Sequence, residues 1–115
     1  MRVVDKGWGC EKIWADEPTY CGKELVFNAG GKCSMHFHSK KDETWFVRSG
    51  RFMVRWIDTE TAKVSTKELT AGDVWHNPPL MPHQLICREA GTVSEVSTFD
   101  DPNDNHRVMP GDGQI

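Results

Sequence analysis

No apolar run in these 115 residues approaches the length needed to cross a bilayer, and the opening MRVVDKGWGC has no apolar stretch of the kind a secretory leader carries. A cytoplasmic protein with no membrane partner is therefore expected. A surplus of positive charge is also missing. Lys and Arg number 14 against 17 Asp and Glu, for a net charge of -3, and the basic residues are scattered instead of forming a stripe. That removes the electrostatic basis for a nucleic-acid partner. The four cysteines, Cys10, Cys21, Cys33 and Cys87, contain no CxxC pair and are too sparse for a disulfide framework, so reduced thiols packed as small hydrophobes are expected. The chain carries no internal repeat, P-loop, dinucleotide fingerprint or Ser-His-Asp order. Cys33 stands three residues before His36, and that odd spacing sends their side chains to opposite faces of a strand, which discounts a nucleophile–base pair.

Helical periodicity is lacking as well: nowhere does an apolar pattern hold a 3.6-residue repeat over a helix's length. What recurs is a short run of β-branched, aromatic and sulfur-containing residues followed by a breaker. These runs cover 10–16, 21–28, 33–38, 43–49, 51–58, 63–69, 73–77, 83–88 and 92–99. Turn signals such as Glu17-Pro18, Ala29-Gly30-Gly31, Ser49-Gly50, Ala71-Gly72-Asp73 and Pro78-Pro79 separate them. Short strands at near-even spacing predict an all-β sandwich or barrel. Residues 1–99 form the expected single domain, and the breaker-rich stretch 100–115 reads as a polar tail packed on the barrel or partly disordered.

Strand parity then gathers chemistry. His36 and His38 are two apart in CSMHFH and share a face, while Met35 and Phe37 point the other way. On the next strand Glu43 shares a face with Trp45 and Val47, and parity and spacing prefer Glu43 over its neighbour Asp42. Two imidazoles and a carboxylate from neighbouring strands make a three-ligand start for a metal site. A further imidazole, His83, stands between two proline-rich segments. His76 reads as structural or cavity-lining. Cys87 shares the parity of His83 and so is placed facing the cavity.

As a pattern, Gly30-x5-His36-x-His38-x4-Glu43-x6-Gly50 resembles the first signature of the cupin superfamily along its whole length. The second appears as Gly72-x5-Pro78-x-Leu80-x2-His83-x3-Cys87, with Leu80 in place of a glycine and Cys87 in place of an asparagine. The resemblance implies a cupin jelly-roll β-barrel (a double-stranded β-helix) with one divalent transition metal inside, held by His36, His38, Glu43 and His83. The mixed nitrogen and oxygen donors suit Mn, Fe, Zn, Ni or Co and not Ca or Mg, which prefer oxygen alone.

Within the superfamily, VDKGWGCEKIW followed by S-x-H-x-H and E-x-W-x-V-x-S-G resembles the cupin part of type II mannose-6-phosphate isomerases. The implied reaction is aldose–ketose isomerisation of a small-molecule substrate, a sugar or sugar phosphate. Glu95 is the candidate proton-shuttling base, and Lys41 and Arg107 are candidates for an anionic substrate group. Trp45 is placed to line the cavity and stack on a ligand. Two other uses of small cupins stay open: a mononuclear metal-dependent dioxygenase, and a non-catalytic binder of a sugar or other small molecule. Met35, Phe37 and Phe46 are expected on the outer face, which makes a homodimer the expected assembly.

Overall fold

Alternation of buried and exposed side chains organises the whole molecule. The computed structural model describes residues 1–114, and among them it contains strands and turns but no helix. Eleven strands follow in order: β1 (Arg2–Lys6), β2 (Gly9–Asp16), β3 (Cys21–Phe27), β4 (Met35–Phe37), β5 (Glu43–Val47), β6 (Arg51–Ile57), β7 (Val64–Thr70), β8 (Val74–Asn77), β9 (His83–Glu89), β10 (Gly91–Ser97) and β11 (His106–Met109). They form two antiparallel sheets, β1-β2-β3-β10-β5-β8 and β11-β4-β9-β6-β7, the face-to-face arrangement of a jelly roll.

The inward faces supply one continuous core. Along β5 the buried residues are Glu43, Trp45 and Val47, with Thr44 and Phe46 less buried between them. On β6, Phe52 and Val54 are inaccessible to solvent, as are Leu69, Leu85 and Val93 from β7, β9 and β10. Trp8 stacks on Phe27 with ring centroids 4.1 Å apart, and Phe52 meets Phe27 edge-on at 5.4 Å. Aromatic pairs in these geometries add to the burial that drives the fold. All four cysteines are free, with Cys21 and Cys87 buried and the other two half-buried.

Two strands go beyond the sequence reading. β1 is a largely exposed edge strand paired with β2, and its Val3-Val4 pair is too short a signal to stand out. β11 lies inside the stretch read as a tail, and pairs with β4 so that Arg107 stands opposite His36. The tail is thus the last strand of a sheet. The outer-face expectation also needs correcting at Met35, which is buried at 1% exposure with Met109 of β11 as its register partner. Phe37 is half-buried and stacks on His106 with centroids 5.0 Å apart, whereas Phe46 is exposed.

Candidate metal centre

Pairing of β4 with β9 brings the two motif halves together, since His36 is the register partner of His83. The donor atoms of His36, His38 and His83 lie within 4.8 Å of one another, close enough to hold one metal ion. Each ring is oriented from behind by a backbone carbonyl. His36 Nδ1–H donates to Ser34 O at 3.0 Å, with Ser34 Oγ 2.8 Å from the same nitrogen. His38 Nδ1–H donates to Asp104 O at 2.5 Å, and His83 Nδ1–H to Met81 O at 3.0 Å. A carbonyl only accepts, so each Nδ1 carries the proton and each Nε2 keeps its lone pair for a ligand bond. Burial, with help from His83 and His38, pushes the His36 imidazole down to about 3, and burial lowers His38 too. Both rings are therefore neutral at neutral pH, the form that binds metal.

Glu43 stands beside the three imidazoles. Its Oε1 lies 2.8 Å from His83 Nε2, yet that nitrogen is buried without a hydrogen-bond partner among the described residues. With the His83 proton on Nδ1, two lone pairs face each other across this gap, and a cation is what such a pair accommodates. Burial would raise the Glu43 carboxyl, and the Lys41 ammonium 3.3 Å from its Oε2 opposes that and favours the ionised form. Asn77 Nδ2 also donates to Glu43 Oε1 at 3.2 Å. The ion pairs that continue from Glu43 join four carboxyl groups (Glu11, Glu43, Glu95, Asp100) to two ammoniums (Lys23, Lys41), so acidic groups outnumber basic ones by two. The donor set, the orphaned nitrogen and the charge balance all fit one divalent ion.

The site opens into a cavity of about 430 Å³ whose walls include His36, His38, Glu43, Trp45, Lys41 and Glu95. Glu95 is held on both oxygens: Lys41 Nζ donates to Oε2 at 2.9 Å and Trp45 Nε1 to Oε1 at 3.2 Å. Burial raises the Glu95 carboxyl, reinforced by the nearby negative charge of Glu43. Lys41 is only 4% exposed, and its ammonium lies within 3.3 Å of Glu43, Glu95 and Asp100, which occupies the donors expected for a substrate anion. Arg107 sits on β11, exposed and outside the cavity walls. His76 is on the outer side of β8, its Nε2 2.5 Å from Asp42 Oδ1, so the rival carboxylate to Glu43 points away from the site. Cys87 does not line the cavity: it packs into the apolar core and donates its thiol to Glu89 O. Cys33 lines it instead, with a thiol that burial pushes up to about 12.

Several contributors escape sequence reading. Lys23 is two residues before Leu25 on β3, so parity places it inward, but a lysine there reads as solvated until Glu11 and Asp100 are known to meet it at 3.0 and 3.3 Å. Asp104 lies 66 residues from His38 and gives no local signal. Leu80, at the glycine position of the second motif, has φ of 71° and donates its amide to His38 O at 2.7 Å. The substitution keeps the turn and the ligand-bearing backbone in place.

The family model for cupins matches residues 23–112. This chain belongs to the cupin family. No curated protein matches it. Among solved structures, this cupin is similar to KdgF from Halomonas sp., at 19% identity and a TM-score of 0.75 over 90% of both chains. An RmlC-like cupin from Shewanella frigidimarina gives 20% identity and a TM-score of 0.75, covering 89% of this chain and 86% of that one. The oxalate decarboxylase of Lactobacillus farciminis, in its formate complex, gives 16% identity and a TM-score of 0.78, covering 93% of this cupin. The chain spans only 33% of that decarboxylase's length. At these identities the likeness is one of fold.

Proposed function

We propose that this cupin is a divalent-metal aldose–ketose isomerase whose substrate is an uncharged sugar. The observation that carries the reading is Glu95, a buried carboxylate in the wall shared with the metal ligands, gripped by Lys41 at 2.9 Å and Trp45 at 3.2 Å. His36, His38, His83 and Glu43 would hold the ion. When bound, the ion supplies Lewis-acid polarisation of a carbonyl and the neighbouring hydroxyl.

Glu95 does the carbon chemistry in this reading. Each of its oxygens accepts one hydrogen bond, and the carboxylate takes the proton from the hydroxyl-bearing carbon and returns it to the carbonyl carbon, while the hydroxyl proton passes to the former carbonyl oxygen, so that atoms and charge balance. Its raised pKa makes it a stronger base than a solvated glutamate. Lys41 and Trp45 fix its direction, and Trp45 offers an aromatic wall to a sugar face. Charge selects the substrate. A divalent ion suits a network in which carboxyl groups outnumber ammoniums, and Lys23 and Lys41 are both paired with carboxylates. The other basic residues of the wall, Arg2 and Lys6, are exposed on β1 and leave no buried cation for a phosphate.

The test incubates Mn²⁺-loaded protein with matched aldoses and aldose phosphates, followed for ketose formation beside an oxygen electrode. Ketose from a neutral aldose is expected, with kcat reduced about 10²–10⁴-fold in Glu95→Gln at unchanged metal content. Oxygen uptake without ketose, a preference for the phosphates, or full activity in Glu95→Gln would each overturn the assignment.

A further inference from the structure

The segment between β4 and β5 carries His38 and Lys41 and leads into Glu43, yet it is a loop, and a loop does not hold ligands in place unless something fixes it. Leu80 N–H anchors its start at His38 O. Its end is tied to Thr98, whose N–H donates to Asp42 O and whose Oγ1 accepts Asp42 N–H, both at 3.0 Å, and the three backbone amides between are gripped by one residue of the C-terminal stretch. The Asp104 carboxylate is buried at 6% exposure. Its Oδ1 accepts Ser39 N–H and Ser39 Oγ–H, both at 2.6 Å, and its Oδ2 accepts Lys40 N–H at 2.9 Å and Lys41 N–H at 3.0 Å. Its main-chain carbonyl accepts His38 Nδ1–H at 2.5 Å, which sets the tautomer of a ligand. One residue thus shapes the loop with its side chain and orients an imidazole with its backbone.

Asp104 is itself held by the C-terminal stretch. Its N–H donates to Asp101 O at 2.9 Å, β11 pairs along β4, and Asp100 Oδ1 accepts from Lys41 Nζ at 3.1 Å. Farther on, Asp112 Oδ2 accepts Lys32 N–H at 2.9 Å, and a Cβ on Gly111 would collide with the backbone of Cys33 and Ser34. The stretch is therefore laced to β4 and to residues 32–34 before it, and among its described residues the one buried side chain, Asp104, is aimed at the ligand loop.

We propose that Asp104 is a positioning residue for the metal centre, through which docking of residues 100–109 and metal binding are linked. The linkage follows from shared partners. The loop that accepts the metal is the loop that donates to Asp104, so ordering it for one lowers the entropy cost of the other. Linkage is reciprocal: metal protects the C-terminal stretch from opening, and loss of Asp104 weakens metal binding.

This inference rests on the metal site proposed above, and the experiment separates the two. Co²⁺ affinity is measured by competition with a chromophoric chelator for the full chain, Asp104→Ala, Asp104→Asn and Val108→Thr, an exposed β11 control. Amide hydrogen exchange of the wild type is followed with and without Co²⁺. Expected are affinity about 10–100-fold weaker in Asp104→Ala, a smaller loss in Asp104→Asn, and no more than about a twofold change in Val108→Thr. Co²⁺ should also slow exchange in 39–41 and 104–109 of the wild type, a readout that needs no variant to fold. If the wild type binds no Co²⁺, the metal reading falls and this inference with it. If it binds Co²⁺ but Asp104→Ala binds equally well, or 104–109 exchange at the same rate with and without the ion, only the positioning role is overturned.

Discussion

Within one barrel the same strands build two interiors. Along the inward face of β5 the side chains run Glu43, Trp45, Val47; on β9 they run His83, Leu85, Cys87; on β3, Lys23, Leu25, Phe27; and on β10, in the opposite chain sense, Val93 then Glu95. One end of the barrel interior is charged and holds the candidate metal centre, and the other is an apolar cluster of Phe27, Phe52, Val54, Leu69 and Val93. The change takes place over one or two inward positions. Period-2 alternation therefore settles which face looks inward, but the position along the strand decides whether inward means core or site. Low dielectric from the apolar end raises the cost of every unpaired charge at the other, which accounts for the pairing of Lys23 and Lys41 with carboxylates there.

If the two ends are separate in function, they should fail separately. Phe52 is wholly buried at the apolar end, so Phe52→Ala should cost about 3–5 kcal/mol of unfolding free energy. Metal content per folded molecule should not change. Denaturant titration and metal analysis on the same sample check this, and loss of metal from folded Phe52→Ala would erase the distinction. The reverse test is made at the charged end. With free metal at about 100 times its Kd, the wild type should gain about 2.7 kcal/mol over its chelator-treated form. In His83→Ala the gap between metal-loaded and chelated samples should shrink towards zero, because the ligand contributed by the second motif is gone. A gap of wild-type size in that variant would remove His83 from the site.

How much of this was readable beforehand follows the same division. Parity alone put His36 and His38 together and turned Glu43 inward and Asp42 outward, and both orientations are those of the fold. The motif added His83 across a gap that local pattern cannot bridge, and β4–β9 pairing supplies the contact. Parity misled at Cys87. Its side chain is inward as expected, but it lies among apolar neighbours beyond Leu85, away from the cavity. Lys41 and Arg107 show the limit of reading charge without partners. A lysine turned into a cluster of carboxylates is saturated by them, and an arginine opposite His36 in register lies exposed on β11, outside the cavity walls. Asp104 and β11 were opaque because their signals are long-range: a polar, breaker-rich stretch becomes ordered only through bonds to β4 and the loop after it.

Leu80 sharpens the comparison at its finest scale, since it sits in the turn that leads to His83 and departs from the family motif. The motif glycines Gly50 and Gly72 have φ of 83° and 94°, a left-handed region that suits glycine, and Leu80 occupies the same region at 71°. An L-residue there carries about 1–2 kcal/mol of steric cost. Glycine would relieve it but would give up about 0.4–1 kcal/mol through the greater freedom of the unfolded chain. Leu80 is 59% exposed, so little burial is lost on truncation, and its amide bond to His38 O is independent of the side chain. Leu80→Gly should therefore be stabilised by about 0.5–1 kcal/mol, seen as a higher denaturant midpoint at unchanged m-value. Metal affinity should stay where it was, because the backbone bond to His38 O is kept. A lower midpoint would mean that the leucine side chain contributes packing at the turn, and that the departure from glycine is a feature of the site and not a tolerated strain.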